Sequence, residues 1–332
     1  MKHLNGLTSI ATAANKVAAT SGFVALLLFL TCCHPRSEIL EPNLSFCPDP
    51  CLVRSLPPPA FSPITESEKR GEWVKEFYIG NQFAKEFDFY RAITSYKRAY
   101  LLLPKREFDR RQQIQFLIAK SYYLGCKYCD VVETFEGTEL FDIDGSFPAY
   151  NELLLMLYDS YKQTRQCKKQ AAVLQIIQSE DPLKANQFQL GETIEQGNLS
   201  CLIPLSQETS SEAAVSQFHS CYCQNARSVK TAQTLNALLP GAGYFYVGQK
   251  KTALTSFLIN AAFIATTWHF IDEGNWGAAG ISGSLELGWY LGGINGAGLA
   301  AKEYNETLYN RLGKRVMVEE RLFPIFHFET SF

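Results

Sequence analysis

The sequence has almost no excess of charge of either sign, with 31 Lys and Arg residues against 33 Asp and Glu residues among 332. A chain with so little net charge lacks the long-range field that draws proteins to nucleic acid or to an anionic bilayer surface. We therefore expect no nucleic-acid partner, and any attachment to membrane lipid must be mainly apolar. The apolar fraction of 46% is nevertheless large enough for packed cores.

Motifs that carry catalytic or cofactor chemistry are also missing. Residues 241–243 read Gly-Ala-Gly but lack the Lys-Ser or Lys-Thr that follows in a phosphate-binding loop. The pair Cys126-Lys-Tyr-Cys129 has the spacing of a redox motif without its strand context, and residues 219–223 place one His and two Cys too closely for a zinc knuckle. The sequence therefore predicts no enzyme, no cofactor and no metal site.

Residues 1–33 have the order of an export signal. Lys2 and Lys16 precede an apolar run at residues 22–31, which ends at Cys32 and Cys33. Leu30-Thr31-Cys32-Cys33 resembles a bacterial lipobox, and the resemblance implies that Cys33 is lipidated and becomes the new N-terminus. Cleavage without lipidation and an uncleaved anchor are the alternatives. The run is short for an anchor, because a spanning helix needs about 20 apolar residues.

Ten cysteines are many for a protein of a reducing compartment. Apart from Cys32 and Cys33, an even number remains behind the export signal, and we expect these residues to form disulfides of unknown connectivity. They are Cys47, Cys51, Cys126, Cys129, Cys167, Cys201, Cys221 and Cys223.

The composition changes several times along the chain. Residues 34–70 are rich in proline and cysteine, which predicts an extended tether. Residues 71–185 change to amphipathic helix, with aromatic and small residues recurring at spacings of three and four. Residues 186–232 turn polar and are predicted to form a linker or a loosely packed helix. Residues 306–332 are predicted to form a C-terminal tail.

The spacing in residues 71–185 resembles the tetratricopeptide repeat. Its small, aromatic and terminating positions are matched by Gly80, Phe83, Phe87, Ala92, Tyr96, Ala99 and Pro104, and about 39 residues later by Ala119, Tyr122, Gly125, Tyr128, Val131 and Phe135. A third, weaker unit runs through Tyr158, Tyr161, Leu174 and Pro182. The resemblance implies stacked helical hairpins whose concave face holds a peptide or helix of a partner protein. We assign Tyr90, Arg91, Lys97, Tyr123 and Lys127 to that face. The alternative is an irregular helical domain with core aromatics.

Residues 233–305 are predicted to form a membrane domain. The Leu, Ile and Phe residues of the run 253–271 favour insertion by about −4 kcal/mol, whereas residues 276–301 contain Glu286 and insert only when another helix covers them. Small residues recur there at every fourth position, which favours close helix packing in lipid. We therefore predict a glycine-rich transmembrane helical hairpin turned at residues 272–275. The predicted packing residues are Gly288, Gly292, Gly296, Glu286, Asn260 and Asn295.

Pro240-Gly-Ala-Gly-Tyr-Phe-Tyr-Val-Gly248 resembles the Pro-Gly-x-Gly-x-x-Tyr-x-Gly element of a family of small bacterial membrane domains. Residues 288–296 and 301–305 are similar to the second half of the same domain. The resemblance implies a membrane architecture that sometimes follows helical repeats, and it implies no activity.

Together these features predict an all-α bacterial protein of the cell envelope, anchored in the membrane, with its middle domain in the periplasm. We expect a non-catalytic platform for protein–protein interaction. One alternative is a small transport or channel subunit built on the glycines around Glu286. Another is an outer-membrane-associated component, because residues 323–332 weakly resemble the terminal strand by which outer-membrane barrels are recognised.

Overall fold

The computed structural model of the chain describes residues 40–44 and 54–332, and every regular element in this part is helical. The predicted all-α class is confirmed. The chain divides into two compact units, and each is described by itself. The helical unit comprises the described residues of Pro42–Cys221 together with Asn310–Phe332, and the apolar unit those of Met1–Glu41 together with Tyr222–Tyr309.

The helical unit is built from consecutive antiparallel helices. Each helix from α1 to α7 contacts the next one along the chain, and α3 also contacts α5. The helices are α1 (Glu72–Lys85), α2 (Phe89–Leu102), α3 (Phe108–Leu124), α4 (Tyr128–Glu136), α5 (Tyr150–Gln163), α6 (Cys167–Glu180), α7 (Pro182–Glu195), α8 (Leu199–Ser206) and α9 (Glu212–Asn225). Short 3-10 helices lie at Glu68–Arg70, Glu139–Asp142 and Pro324–His327.

One type of turn recurs between these helices. The pairs α1/α2, α3/α4, α5/α6 and α7/α8 are joined by three residues, and the middle one is left-handed: Phe87 (φ 65°), Cys126 (57°), Arg165 (58°) and Gly197 (71°). In the first turn Asp88 N donates to Phe83 O at 2.9 Å and Phe87 N donates to Ala84 O at 3.0 Å. The other three turns repeat this pair of hydrogen bonds, which defines a Schellman cap. The described residues therefore contain a recurring helical hairpin.

The pair α1 and α2 packs through one small and one aromatic residue. A Cβ on Gly80 would lie 2.6 Å from the ring of Tyr96. Tyr96 is fully buried, and its hydroxyl donates to Asn81 Oδ1 at 2.8 Å. The missing side chain at Gly80 thus lets the tyrosine ring lie directly against the α1 backbone.

Two segments that the sequence predicts to be loosely organised are packed parts of the fold. Arg110 of α3 donates to the carbonyl oxygens of Ser62 and Pro63 at 2.8 and 2.9 Å, and to Glu68 at 2.7 Å. Residues 62–68 of the predicted tether are therefore held against α3. Most of residues 186–232 is helical. A few apolar residues along one helix face are enough to pack that face against the rest of the unit. The buried apolar residues of this segment include Phe188, Leu190, Ile194, Leu202, Val215 and Phe218.

The apolar unit contains a long helix pair. Its helices are α10 (Val229–Leu238), α11 (Ala242–Val247), α12 (Lys250–Asp272) and the part of α13 (Trp276–Glu319) up to Tyr309. Gly274 is left-handed in the turn between α12 and α13, and the Thr267 hydroxyl donates to Ser282 Oγ at 2.8 Å across the pair. Helix α13 runs past residue 305, where the predicted membrane domain ends.

The Pro-Gly-x-Gly motif forms the junction between α10 and α11. Gly241 has a φ of 92°, and a Cβ there would collide with the carbonyl oxygen of Ala253 on α12. A Cβ on Gly243 would collide with the carbonyl oxygen of Ala232 and lie 2.8 Å from Ala297 Cβ on α13. Both positions therefore require glycine.

The glycines of α13 do not all face the surface that their spacing predicts. Gly288 and Gly292 have no neighbouring atom within 4 Å of an added Cβ among the described residues, whereas Gly296 lies against the Tyr244 side chain. Gly293 instead faces Asn236 of α10 and Ser256 of α12. A repeat of four residues turns about 40° around a helix at each step, so a line of such glycines does not follow one face. The packing role predicted for Gly288 and Gly292 is not seen.

Candidate functional site

Residues 323–332, named here the docked segment, lie in a groove of the helical unit between α3, α5 and residues 54–64. The docked segment contains the 3-10 helix Pro324–His327 and continues after it as an extended chain. Every second side chain of the extended part is buried, namely Phe328, Thr330 and Phe332. This alternation is that of an extended peptide with one face covered.

A buried ion pair binds the backbone of the docked segment. Lys120 Nζ of α3 lies 2.5 Å from Glu152 Oε1 of α5, and the two side chains are 0% and 1% exposed. Lys120 Nζ donates to the Thr330 carbonyl oxygen at 2.5 Å. Glu152 Oε2 accepts from Thr330 N at 3.1 Å and from its hydroxyl at 2.7 Å. Burial lowers the pKa of Lys120, and the Glu152 carboxylate opposes that shift.

Aromatic rings surround the Lys120 ammonium on the same face. Its Nζ lies 5.7 and 5.3 Å from the ring centroids of Phe328 and Phe332 in the docked segment, and 5.8 Å from that of Phe116 on α3. The Phe328 ring also packs on Tyr123 at a centroid distance of 5.4 Å. A cation within about 6 Å of ring centroids is attracted by their quadrupoles. The rings therefore stabilise the charge that the groove excludes from water.

Residues before α1 form another edge of the groove. Ser331 N donates to the Pro57 carbonyl oxygen at 2.7 Å. The Phe61 ring packs on Phe116 at 5.6 Å and on Phe147 at 5.4 Å. The docked segment thus makes backbone hydrogen bonds on both sides, to the ion pair and to the proline-rich chain.

A polar network supports the wall behind Phe328. The buried Tyr123 hydroxyl donates to Asp159 Oδ2 at 2.7 Å. Lys162 Nζ lies 3.5 Å from the other oxygen of Asp159 and 2.8 Å from Glu195. Burial, followed by the charge of Asp159, raises the pKa of Tyr123, so the hydroxyl stays protonated and keeps its donor role.

The predicted partner-binding residues separate into two groups. Tyr123 contacts the docked segment. Tyr90 is 84% exposed, and Arg91, Lys97 and Lys127 are also exposed. Lys97 Nζ donates to the Tyr122 hydroxyl at 2.9 Å, and Arg91 pairs with Asp88 at 3.3 Å. These four residues do not touch the docked segment in any described contact.

The residues that bind the docked segment most closely were not predicted from the sequence. Lys120 and Glu152 each stand within strongly apolar helical sequence, Phe116-Leu-Ile-Ala-Lys120 and Glu152-Leu-Leu-Leu-Met156. A charged residue on the apolar stripe of a helix is the signal that could have indicated a buried pair. The sequence does not indicate which two charges meet.

The cysteines that lie in the described residues form no disulfide with one another. Cys129, Cys167 and Cys201 are exposed free thiols on α4, α6 and α8. The disulfides predicted among the described cysteines are thus not seen. Cys33, Cys47 and Cys51 lie outside the described residues.

Helix α12 has the properties of a membrane span. It is the one helix in the described residues that is long and apolar enough to cross a membrane, and only 11% of its most apolar 18 residues are buried. Its 23 residues extend about 34 Å, against about 30 Å of hydrocarbon. Among the predicted packing residues, Asn260 is buried and donates to Ser256 O at 2.6 Å, Glu286 is half-buried, and Asn295 is exposed.

In the described part of the chain, these features define an all-helical architecture, with one helix that is long and apolar enough to cross a membrane and a helical unit that holds an extended segment of its own chain. No known protein family, no curated protein and no solved structure matches the sequence or the fold.

Proposed function

We propose that this chain is a non-catalytic, membrane-anchored protein of the bacterial cell envelope that binds another protein through its helical unit. The groove that holds residues 323–332 is the observation that carries the proposal. It binds an extended chain by two backbone hydrogen bonds from an ion pair and by rings on either side, which is how a peptide-binding surface works.

A tetratricopeptide-like architecture is part of the proposal. It is supported by the four Schellman turns, by the 39-residue intervals between Phe87, Cys126 and Arg165, and by the Gly80 and Tyr96 contact. Stacked hairpins of this kind give extended surfaces for partner binding.

Membrane anchoring by α12 is supported by its length and by the large apolar side chains that it exposes, such as Leu254, Leu258, Ile264 and Trp268. A soluble helix would bury such residues. Lipid at Cys33 and a periplasmic position of the helical unit belong to the proposal as well. Fractionation of a Cys33→Ser variant, with protease accessibility in intact cells and spheroplasts, tests both.

Site-specific photo-crosslinking of the full chain in its own membranes tests the proposed function. Photoreactive residues replace Tyr90 or Lys127, which are exposed on the helical unit, and Trp268, which is 73% exposed on α12, in matched variants. We expect a protein crosslink from at least one of the first two positions and lipid crosslinks from Trp268. A full chain that crosslinks to no protein from the helical unit contradicts the proposal.

A further inference from the structure

The contacts to the docked segment are of two kinds. The contacts to Thr330 N, Thr330 O and Ser331 N use only backbone atoms of the docked segment, so any extended chain in the same register can make them. Selectivity comes from the Thr330 hydroxyl and from the rings of Phe328 and Phe332, which flank it two residues away on each side. The groove therefore recognises an aromatic, a hydroxyl and an aromatic side chain at alternate positions of an extended segment.

The ion pair is arranged for a bound chain. Glu152 Oε2 takes its hydrogen bonds from the docked segment, at Thr330 N, at the Thr330 hydroxyl and, at 3.4 Å, at Glu329 N. A buried ion pair offsets its loss of hydration only when further hydrogen bonds satisfy its atoms. Without an occupant, Lys120 and Glu152 would lie in an open groove, and both would lose the hydrogen bonds that they make to the backbone of the docked segment.

The covered rings lead to the same conclusion. Phe328 and Phe332 contact Tyr123 and Phe89 of the helical unit at centroid distances of 5.4 and 6.3 Å. An empty groove would expose these aromatic side chains together, and a large exposed apolar patch on a protein surface marks a binding site. Competing occupants must therefore cover the rings as well as the ion pair.

We propose that this groove is a binding site for an extended segment of a partner protein with the pattern aromatic-x-Thr/Ser-x-aromatic, and that residues 328–332 occupy it as an intramolecular competitor. The inference rests on the proposed function, namely that the helical unit binds protein. A partner segment gains access when it displaces the chain's own segment.

Tethering sets the strength of the competition. A short linker holds its ligand at an effective concentration on the order of 1 mM. For a free peptide that binds the emptied groove with a Kd of about 10 μM, the apparent affinity for the intact chain is then about 100-fold lower.

Peptide titration of the full chain in detergent tests the proposal. The probe is labelled Phe-His-Phe-Glu-Thr-Ser-Phe, the sequence of residues 326–332, and binding is followed by fluorescence anisotropy. We expect the chain shortened to residue 327 to bind it about 100-fold more tightly than the intact chain does. A peptide with serine in place of both rings at positions 328 and 332 should not bind, whereas Glu329→Ala in the peptide should change little, because Glu329 is exposed.

The proposal is overturned if the shortened chain, with amide exchange showing that α3 and α5 are folded, binds the probe no better than the ring-less peptide. If the shortened chain does not fold, the isotope-labelled intact chain is used with excess unlabelled probe. Displacement then raises the exchange rate of its own Thr330 amide, and an unchanged rate overturns the proposal. Photo-crosslinks from Tyr90 or Lys127 without probe binding would reject this inference while the proposed function stands. Probe binding without any protein crosslink would reject the proposed function and with it the partner segment, and would leave only the intramolecular contact of residues 328–332.

Discussion

Breaking the Lys120–Glu152 pair should destabilise the helical unit by an amount that depends on which partner is removed. Removing one member of a buried pair typically costs about 3–5 kcal/mol. Glu152→Leu should lie at the upper end, because it also removes the acceptor for Thr330 N and its hydroxyl. Lys120→Met should lie at the lower end, because Glu152 keeps those donors. The double variant should cost at least about 2 kcal/mol less than the sum of the two single variants, because it leaves no unpaired charge.

Tryptophan fluorescence can isolate this effect. The chain has four tryptophans, of which Trp73 is buried in α1 of the helical unit. Replacement of Trp268, Trp276 and Trp289 by Phe leaves Trp73 as the reporter in thermal unfolding of the full chain in detergent. A loss of about 4 kcal/mol corresponds to a decrease of roughly 8–16 °C in Tm. Lys168→Met, which removes an exposed lysine of α6, is the matched control and should stay within about 0.5 kcal/mol. Single-variant losses that simply add in the double variant would refute the coupling.

Three further predictions concern other positions. Gly80→Ala should destabilise the helical unit by about 1–3 kcal/mol because its Cβ meets the Tyr96 ring, whereas Gly145→Ala, with open space around it, should be neutral in the same unfolding assay. Burial lowers the pKa of His327, so the unfolded chain binds more protons and stability should be full above pH 6.5 and decline as the pH falls below it. The decline should be absent in a His327→Asn variant measured by the same unfolding curve. Leu258→Arg in α12 should reduce membrane insertion by about 3–4 kcal/mol, and full retention in the membrane fraction would contradict a spanning α12.

The helical nature of the chain and the position of its first hairpin could be predicted from the sequence. Aromatic and small residues at spacings of three and four indicate which helix faces pack together, and in α1 and α2 the small residue Gly80 packs against the aromatic ring of Tyr96. The turn positions are less visible. Phe87, Cys126 and Arg165 are left-handed without being glycine, so the usual sign of a helix C-terminus is missing.

The groove could not be predicted because its parts are far apart in the sequence. Thr330 is separated from Lys120 by 210 residues and from Glu152 by 178. Local periodicity reports which residues of a helix are buried and carries no information about which distant segment covers them. The same limit applies to the α13 glycines. A spacing of four favours close helix packing but does not indicate which helix packs there, and Gly296 contacts Tyr244 of α11.

Amide hydrogen exchange of Thr330 in the intact chain tests the central claim, that the helical unit binds an extended segment through the Lys120–Glu152 pair. The amide donates to a buried carboxylate, so we predict slow exchange that approaches that of the α3 core and is lost in Glu152→Ala. Exchange of Thr330 at the rate of a free peptide, in a chain whose α3 amides are protected, would contradict the account.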